Sequence, residues 1–358
     1  MTWAARFKPS LLWGRIAFGS MFLCSAVALA EEALWKLYFE TGIEAYGRSR
    51  YATAETMFLA SRAEAERLGK GDLRLASTLS QLALVYYTEK KDEQAEPNYR
   101  RAVEIWDNAK APPSIERANT LSYLGILRAR HGGQQDAQRF YERALDMREK
   151  LHGPADPELI TPLTNLAGNL QNQKKYREAD PLYKRALDIA EKHFDRDAPK
   201  VAAVLSAQAG NFYDEEKYTE AEPLYMRVLT IQDKNDDPDV VDTIRPLALT
   251  LFAQKKFSQA RVVTERGIAI LEKNNQPEHL ASALTLLGLT CEWLAGYADA
   301  ERAYKRALDT LGRDNRAALD TLENYSRMLR DLKRGPEAET LEARIRKIRA
   351  TRSTRRDN

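Results

Sequence analysis

From about Leu34 to Arg349 the apolar residues recur three and four apart, the period of a helix with one buried face. Short polar strings break the pattern, among them Gln173-Lys174-Lys175, Glu215-Glu216-Lys217 and Gly132-Gly133. The pattern predicts pairs of amphipathic helices joined by tight turns, and an all-α chain. It is also self-similar. YREADPLYKRALDI from Tyr176 returns as YTEAEPLYMRVLTI from Tyr218 and YADAERAYKRALDT from Tyr297. One alanine marks each copy, at Ala54, Ala95, Ala137, Ala179, Ala221, Ala260, Ala300 and Ala338, with gaps of 38 to 42 residues.

Other positions hold fixed offsets from that alanine. Sixteen residues before it stand Leu79, Leu121, Leu163, Leu205, Ile244, Leu284 and Leu322. Twelve before it stand small residues: Ala83, Gly125, Ala167, Ala209, Ala248, Gly288 and Ser326. Four after it stand Tyr99, Tyr141, Tyr183, Tyr225 and Tyr304, and seven after it Ala102, Ala144, Ala186 and Ala307. Offsets −16, −13, −12 and −9 share one helix face, and so do 0, +4 and +7. Each unit is therefore two helices that approach closely at their small residues while the ring at +4 fills the remaining space. Neither helix can bury its face alone, so the units must stack.

This joint recurrence resembles the tetratricopeptide repeat family over roughly eight units. The units exceed the family's ~34 residues. Strings after the second helix, such as EKLHGPADPELI from Glu149 and EKHFDRDAPKVA from Glu191, are similar to the long-repeat subtype of kinesin light chains. The resemblance implies an all-α, right-handed superhelical solenoid of helix-turn-helix units, and binding of peptide or protein segments in its concave groove. Several units depart from the pattern. The first offers Tyr38, Thr41, Gly42 and Ala45 at the first-helix offsets, and the sixth has Thr264 at +4 and Gly267 at +7. Pro246 is expected to kink or shorten its helix. Pro97, Pro181 and Pro223 are expected in the tolerant first turn of their second helices.

Composition sharpens the picture at the two ends. Of 358 residues, 17 are Gly, 14 Pro and 2 Cys, against a turn-rich β fold or a disulfide framework. Arg6, Lys8 and Arg15 precede the apolar run Ile16–Ala30, which ends in Ala28-Leu29-Ala30 before Glu31-Glu32. That run suits a secretory signal and falls short of the ~20 residues of a membrane span. Leu11, Leu12 and Trp13 could lengthen it into an uncleaved anchor. A lipoprotein reading through Cys24 is weakened by Leu23 before it. The expected organisation is a signal over 1–30, repeats over 31–349 and a basic tail over 350–358. The net charge of +3 divides into +3 on residues 1–30, +6 on 343–358 and −6 on the body between. The tail suits a helix C-terminus or an anionic surface. The overall balance gives no reason to expect nucleic acid.

No nucleophile elbow, phosphate loop or HExxH is present, so no catalytic residue, cofactor or metal is expected. Cys291 falls on the −9 packing offset and reads as a buried hydrophobe. His131, His152 and His193 read as helix-end residues. What remains is the face of the first helices turned away from the packing. The candidate partner-binding residues there are Ser80, Tyr87, Ser122, Thr164, Asn165, Asn169, Gln171, Ser206, Tyr213, Arg245, Phe252 and Thr285. The function expected is an exported, non-enzymatic interaction scaffold, periplasmic or secreted. The alternative is a membrane-tethered assembly subunit held by the N-terminal segment.

Overall fold

The periodicity becomes sixteen α-helices in the computed structural model, which describes residues 32–311 and 315–353; among them there is no strand. The expected signal over 1–30 and the last residues of the tail lie outside the described residues. The helices are α1 (32–47), α2 (Tyr51–Leu68), α3 (Leu73–Thr88), α4 (Asp92–Asn108), α5 (Ile115–Arg130), α6 (Gln134–His152), α7 (Ile160–Asn172) and α8 (Tyr176–His193). They continue with α9 (Pro199–Asp214), α10 (Tyr218–Lys234), α11 (Val241–Ala253), α12 (Phe257–Lys273), α13 (Pro277–Trp293), α14 (Tyr297–Leu311), α15 (Leu319–Asp331) and α16 (Gly335–Ser353). Odd-numbered helices are the first of each repeat and even-numbered helices the second. The helix α16 runs past the boundary expected at residue 349. The packing divides between Pro162 and Leu163 into two units. Repeat arrays permit such a division because each repeat contacts chiefly its neighbours.

Every marker alanine is fully buried, from Ala54 to Ala338. The seven −16 residues and the five +4 tyrosines are buried with them. In the first unit this core joins Phe58, Leu82, Leu121, Leu124 and Tyr99. In the second unit one cluster is built on Leu229, Ile244, Leu247 and Leu284, and another on Tyr304, Leu322 and Met328.

One backbone device closes the turn inside all eight repeats. The residue five before the marker has positive φ: Ser49, Lys90, Gly132, Lys174, Glu216, Lys255, Ala295 and Lys333. The N–H of the next residue bonds the carbonyl five back, as in Lys91 to Tyr86 and Gly296 to Cys291, both 2.8 Å. A second bond, such as Lys90 N–H to the Tyr87 carbonyl at 3.0 Å, completes a Schellman motif. Only Gly132 meets the left-handed conformation with the residue suited to it. Burial of the flanking helices carries the strain at the other seven positions.

Three expectations are revised. The first repeat keeps the small-residue and ring pair, since a Cβ on Gly42 would stand 2.7 Å from Phe58 Cε1, while Tyr38 and Thr41 at its other offsets are only half-buried. Its small residue and its ring fit each other as they do elsewhere. In the sixth repeat Gly267 is a fitted residue, because a Cβ there would stand 2.6 Å from Ile244 Cγ2. The β-branched Ile244 fills the volume that an alanine fills opposite leucine in other repeats. Pro97, Pro181 and Pro223 lie inside their helices, beyond the first turn, because each second helix begins three residues before the marker. They are exposed, as are residues 93, 177 and 219, whose carbonyls each proline leaves free for water. The helix α11 does run through Pro246, and it begins at Val241 behind a 3-10 turn. Proline is not the cause of that late start, since α15 begins the same way without one.

Candidate functional site

The hydroxyl-bearing candidates separate by burial. Ser80 and Thr120 share a hydrogen bond of 2.6 Å between α3 and α5, and both are buried. Thr285 and Thr321 do the same between α13 and α15 at 2.7 Å. Asn169 is also buried, and its Oδ1 accepts from Gln173 Nε2 at 2.8 Å. Ser80 and Thr285 thus stitch successive first helices together rather than presenting free hydroxyls. Sequence spacing missed this because offset −15 on one first helix meets offset −17 on the next. Ser122 turns its hydroxyl onto the Ala118 carbonyl at 3.0 Å. Thr164, Asn165 and Ser206 are half-buried on α7 and α9.

In the first unit Tyr87 belongs to an aromatic group. Its ring centroid lies 5.0 Å from that of Tyr123, which stacks on Tyr99 at 5.8 Å. The Arg130 guanidinium stands 5.5 Å above Tyr87, within cation–π range. Burial pushes the Tyr99 hydroxyl well above the usual phenol range, and that oxygen is buried with no hydrogen-bond partner.

In the second unit Gln171 is held from two sides. Its Oε1 accepts from the Tyr183 hydroxyl at 2.8 Å and its Nε2 donates to Asp214 at 2.7 Å. The ring at +4 therefore fills the core and also sends its hydroxyl to offset −8, on the open edge of the first helix. Tyr304 repeats this by donating to Glu292, whose carboxyl burial raises above its ordinary range. Tyr213 packs edge-on against Tyr218 at 5.6 Å. Phe252 packs against Phe257 at 5.8 Å, and Phe257 stacks on Trp293 at 5.3 Å with the planes 6° apart.

A cleft of about 480 Å³ opens between α11, α13 and α15. It brings together two of the expected residues, Arg245 and the edge of Thr285. Glu278, Ser282, Leu289, Asp320, Glu323 and Asn324 add to its wall, with Glu323 paired to Arg349 at 2.6 Å. Arg245 is exposed, and Arg245, Glu278 and Asp320 form no ion pair among the described residues. Trp293, 63% exposed, and Phe257 were not expected from the sequence. A signal for Phe257 exists: aromatics recur three before the marker at Tyr51, Tyr176, Tyr218, Phe257 and Tyr297. Trp293 has no counterpart in other repeats, so no recurrence could reveal it.

The described residues hold no group of three or more potential metal ligands. None of their helices is long and apolar enough to cross a membrane. Cys291 is 1% exposed, with a thiol that burial raises above its usual range. His152 and His193 end α6 and α8, and His131 caps α5 while reaching Glu96 at 3.2 Å.

No curated protein matches the chain in sequence. Among solved structures it is similar to BtubC (BKLC) from P. vanneervenii, with 22% identity over 62% of this chain and 88% of that one, and a TM-score of 0.50. It is similar to a tetratricopeptide repeat protein from Parabacteroides merdae, with 15% identity over 81% and 98% of the two chains and a TM-score of 0.54. A Podosopora anserina putative kinesin light chain with nearly identical TPR-like repeats shares 18% identity over 54% and 94%, with a TM-score of 0.49. At these identities the first two likenesses are ones of fold. The profile described as tetratricopeptide repeat matches residues 43–108, 74–150 and 158–234, together more than half of the chain. With the buried alanines, the small-residue and ring pairs and the eightfold turn, this establishes that the chain belongs to the tetratricopeptide repeat family.

Proposed function

We propose that the chain is an exported, non-catalytic interaction scaffold whose first-helix face binds a segment of a protein partner. The family supports the coarse part of this reading, since tetratricopeptide repeats are generally protein-interaction scaffolds. The observation that supports the finer part is the cleft between α11, α13 and α15, walled by first helices, where Arg245, Glu278 and Asp320 form no ion pair among the described residues. A surface of satisfied ion pairs needs no ligand; exposed charges in a cleft of mixed polar and apolar lining fit one.

Site-specific photo-crosslinking in the native host tests the choice of face. A photoreactive residue at Gln171, Tyr213 or Leu249 on first helices should capture a partner. The same residue at Glu142, Lys184 or Met226 on second helices should not. Capture from the second helices alone would reverse the assignment. Export rests on residues 1–30. It predicts a mature protein beginning at Glu31, readable by N-terminal sequencing. A chain that retains Met1 and stays with membranes after a high-salt wash would favour the tethered subunit instead.

A further inference from the structure

The cleft between α11, α13 and α15 continues into an apolar shelf. On α13, Glu278, Ser282, Leu289 and Trp293 follow one another at helical spacing, so one face passes from charged to aromatic along the helix. On α11, Arg245, Leu249 and Phe252 make the same passage. Leu249 is 39% exposed and Trp293 63%, and Phe252, Phe257 and Trp293 are packed ring to ring. A tryptophan held flat by a neighbouring ring and still open to solvent is a ready anchor site, because its orientation is already fixed before binding.

The charged end is bipolar across its width. The α11 wall carries Arg245, while α13 carries Glu278 and α15 carries Asp320 and Glu323, the last neutralised by Arg349 at 2.6 Å. A ligand with one charge sign would meet attraction on one wall and repulsion on the other. An extended segment does better, because successive side chains point to opposite sides. From Arg245 to Phe252, which packs against Trp293, α11 rises about 10 Å at ~1.5 Å per residue. An extended chain covers that in about three residues, and reaches on to Trp293 within about five.

We infer that this surface takes an extended segment of a protein partner with an acidic residue beside a basic one and an aromatic or large aliphatic residue about three to five positions away. The acid pairs with Arg245, the base with Asp320, and the apolar side chain lies on the Phe257–Trp293 shelf. This rests on the reading of the first helices as the binding face and adds the chemistry of the bound segment.

Phage-displayed random dodecapeptides panned on the full chain test it, followed by fluorescence anisotropy with the selected peptides. The selected sequences should pair an acid with a neighbouring base and place Trp, Phe, Leu or Ile three to five residues away, in either chain direction. Trp293→Ala should weaken their binding at least tenfold. Arg245→Glu should do the same, and binding should return when the peptide's acid is replaced by Lys. Both side chains are exposed, so the fold is retained; Arg245→Glu should leave melting unchanged and Trp293→Ala, which loses its stacking on Phe257, should lower it only slightly. Val262→Ala, on the exposed face of α12, should leave binding unchanged. Selected peptides without this pattern, binding indifferent to both substitutions, or no peptide binding at all would each overturn the inference. Photo-crosslinking from the first helices would in those cases still report on the choice of face, so the two failures are distinct.

Discussion

A Cβ placed on Gly288 would stand 2.4 Å from Tyr304 Cε1, inside any tolerable contact. Tyr304 is fully buried, and its hydroxyl donates to Glu292. The glycine on the first helix and the ring on the second are two parts of one fit, and the same pair occurs as Gly125 with Tyr141 and Gly42 with Phe58.

Gly288→Ala is therefore expected to destabilise the second unit by up to about 2 kcal/mol. Overpacking costs about 1–3 kcal/mol, and the helix-propensity gain of about 1 kcal/mol offsets only part of it. Gly210→Ala should act oppositely. A Cβ there meets its nearest neighbours, Gln171 Nε2 and Tyr225 Oη, at an ordinary 3.6 Å. It should gain about 0.5–1 kcal/mol from propensity alone. Urea denaturation midpoints of the two variants should move in opposite directions.

Ala295 takes φ of 56° in a turn that other repeats close with lysine, serine, glutamate or glycine. Ala295→Gly should stabilise by about 1 kcal/mol, because a left-handed conformation costs an L-residue roughly that much and glycine nothing. A fall in the thermal midpoint would show that the turn conformation is not the one described.

Arg334, in the turn before α16, reaches Glu301 on α14 and Glu337 on α16, and it holds the Glu301 carboxyl down to about 2. A depressed carboxyl contributes stability that is present above its unfolded value of about 4.3 and lost as pH falls toward 2. Arg334→Met should lower stability at pH 7, by an amount that solvent screening keeps small. It should also flatten the stability profile between pH 4.5 and 2. Melting temperatures across that range measure both effects.

Cys291 is the one cysteine among the described residues, and it packs among Tyr304, Leu287 and Leu308. It should react with a thiol reagent only as the second unit opens, so its labelling rate should follow urea concentration. Rapid labelling in buffer would place the thiol outside the core.

The recurrence of alanine, leucine and tyrosine at fixed offsets was enough to define two-helix repeats, their number and their buried faces. Each rule is local: a small residue and a ring within one unit must fit, whatever surrounds them. The Schellman turn was legible as a polar break, but its left-handed residue was not, because lysine, serine and alanine give no sign of positive φ. The face of Ser80 and Thr285 was also not legible. Their burial depends on how one first helix is offset against the next, a relation between repeats that no single helix encodes. The aromatic shelf and the bipolar cleft arise the same way, from Trp293, Phe257, Arg245 and Asp320 on four helices. Local periodicity determined the repeat; only tertiary packing decided which side chains stand open beside one another, because that follows from the displacement between repeats and not from spacing within one.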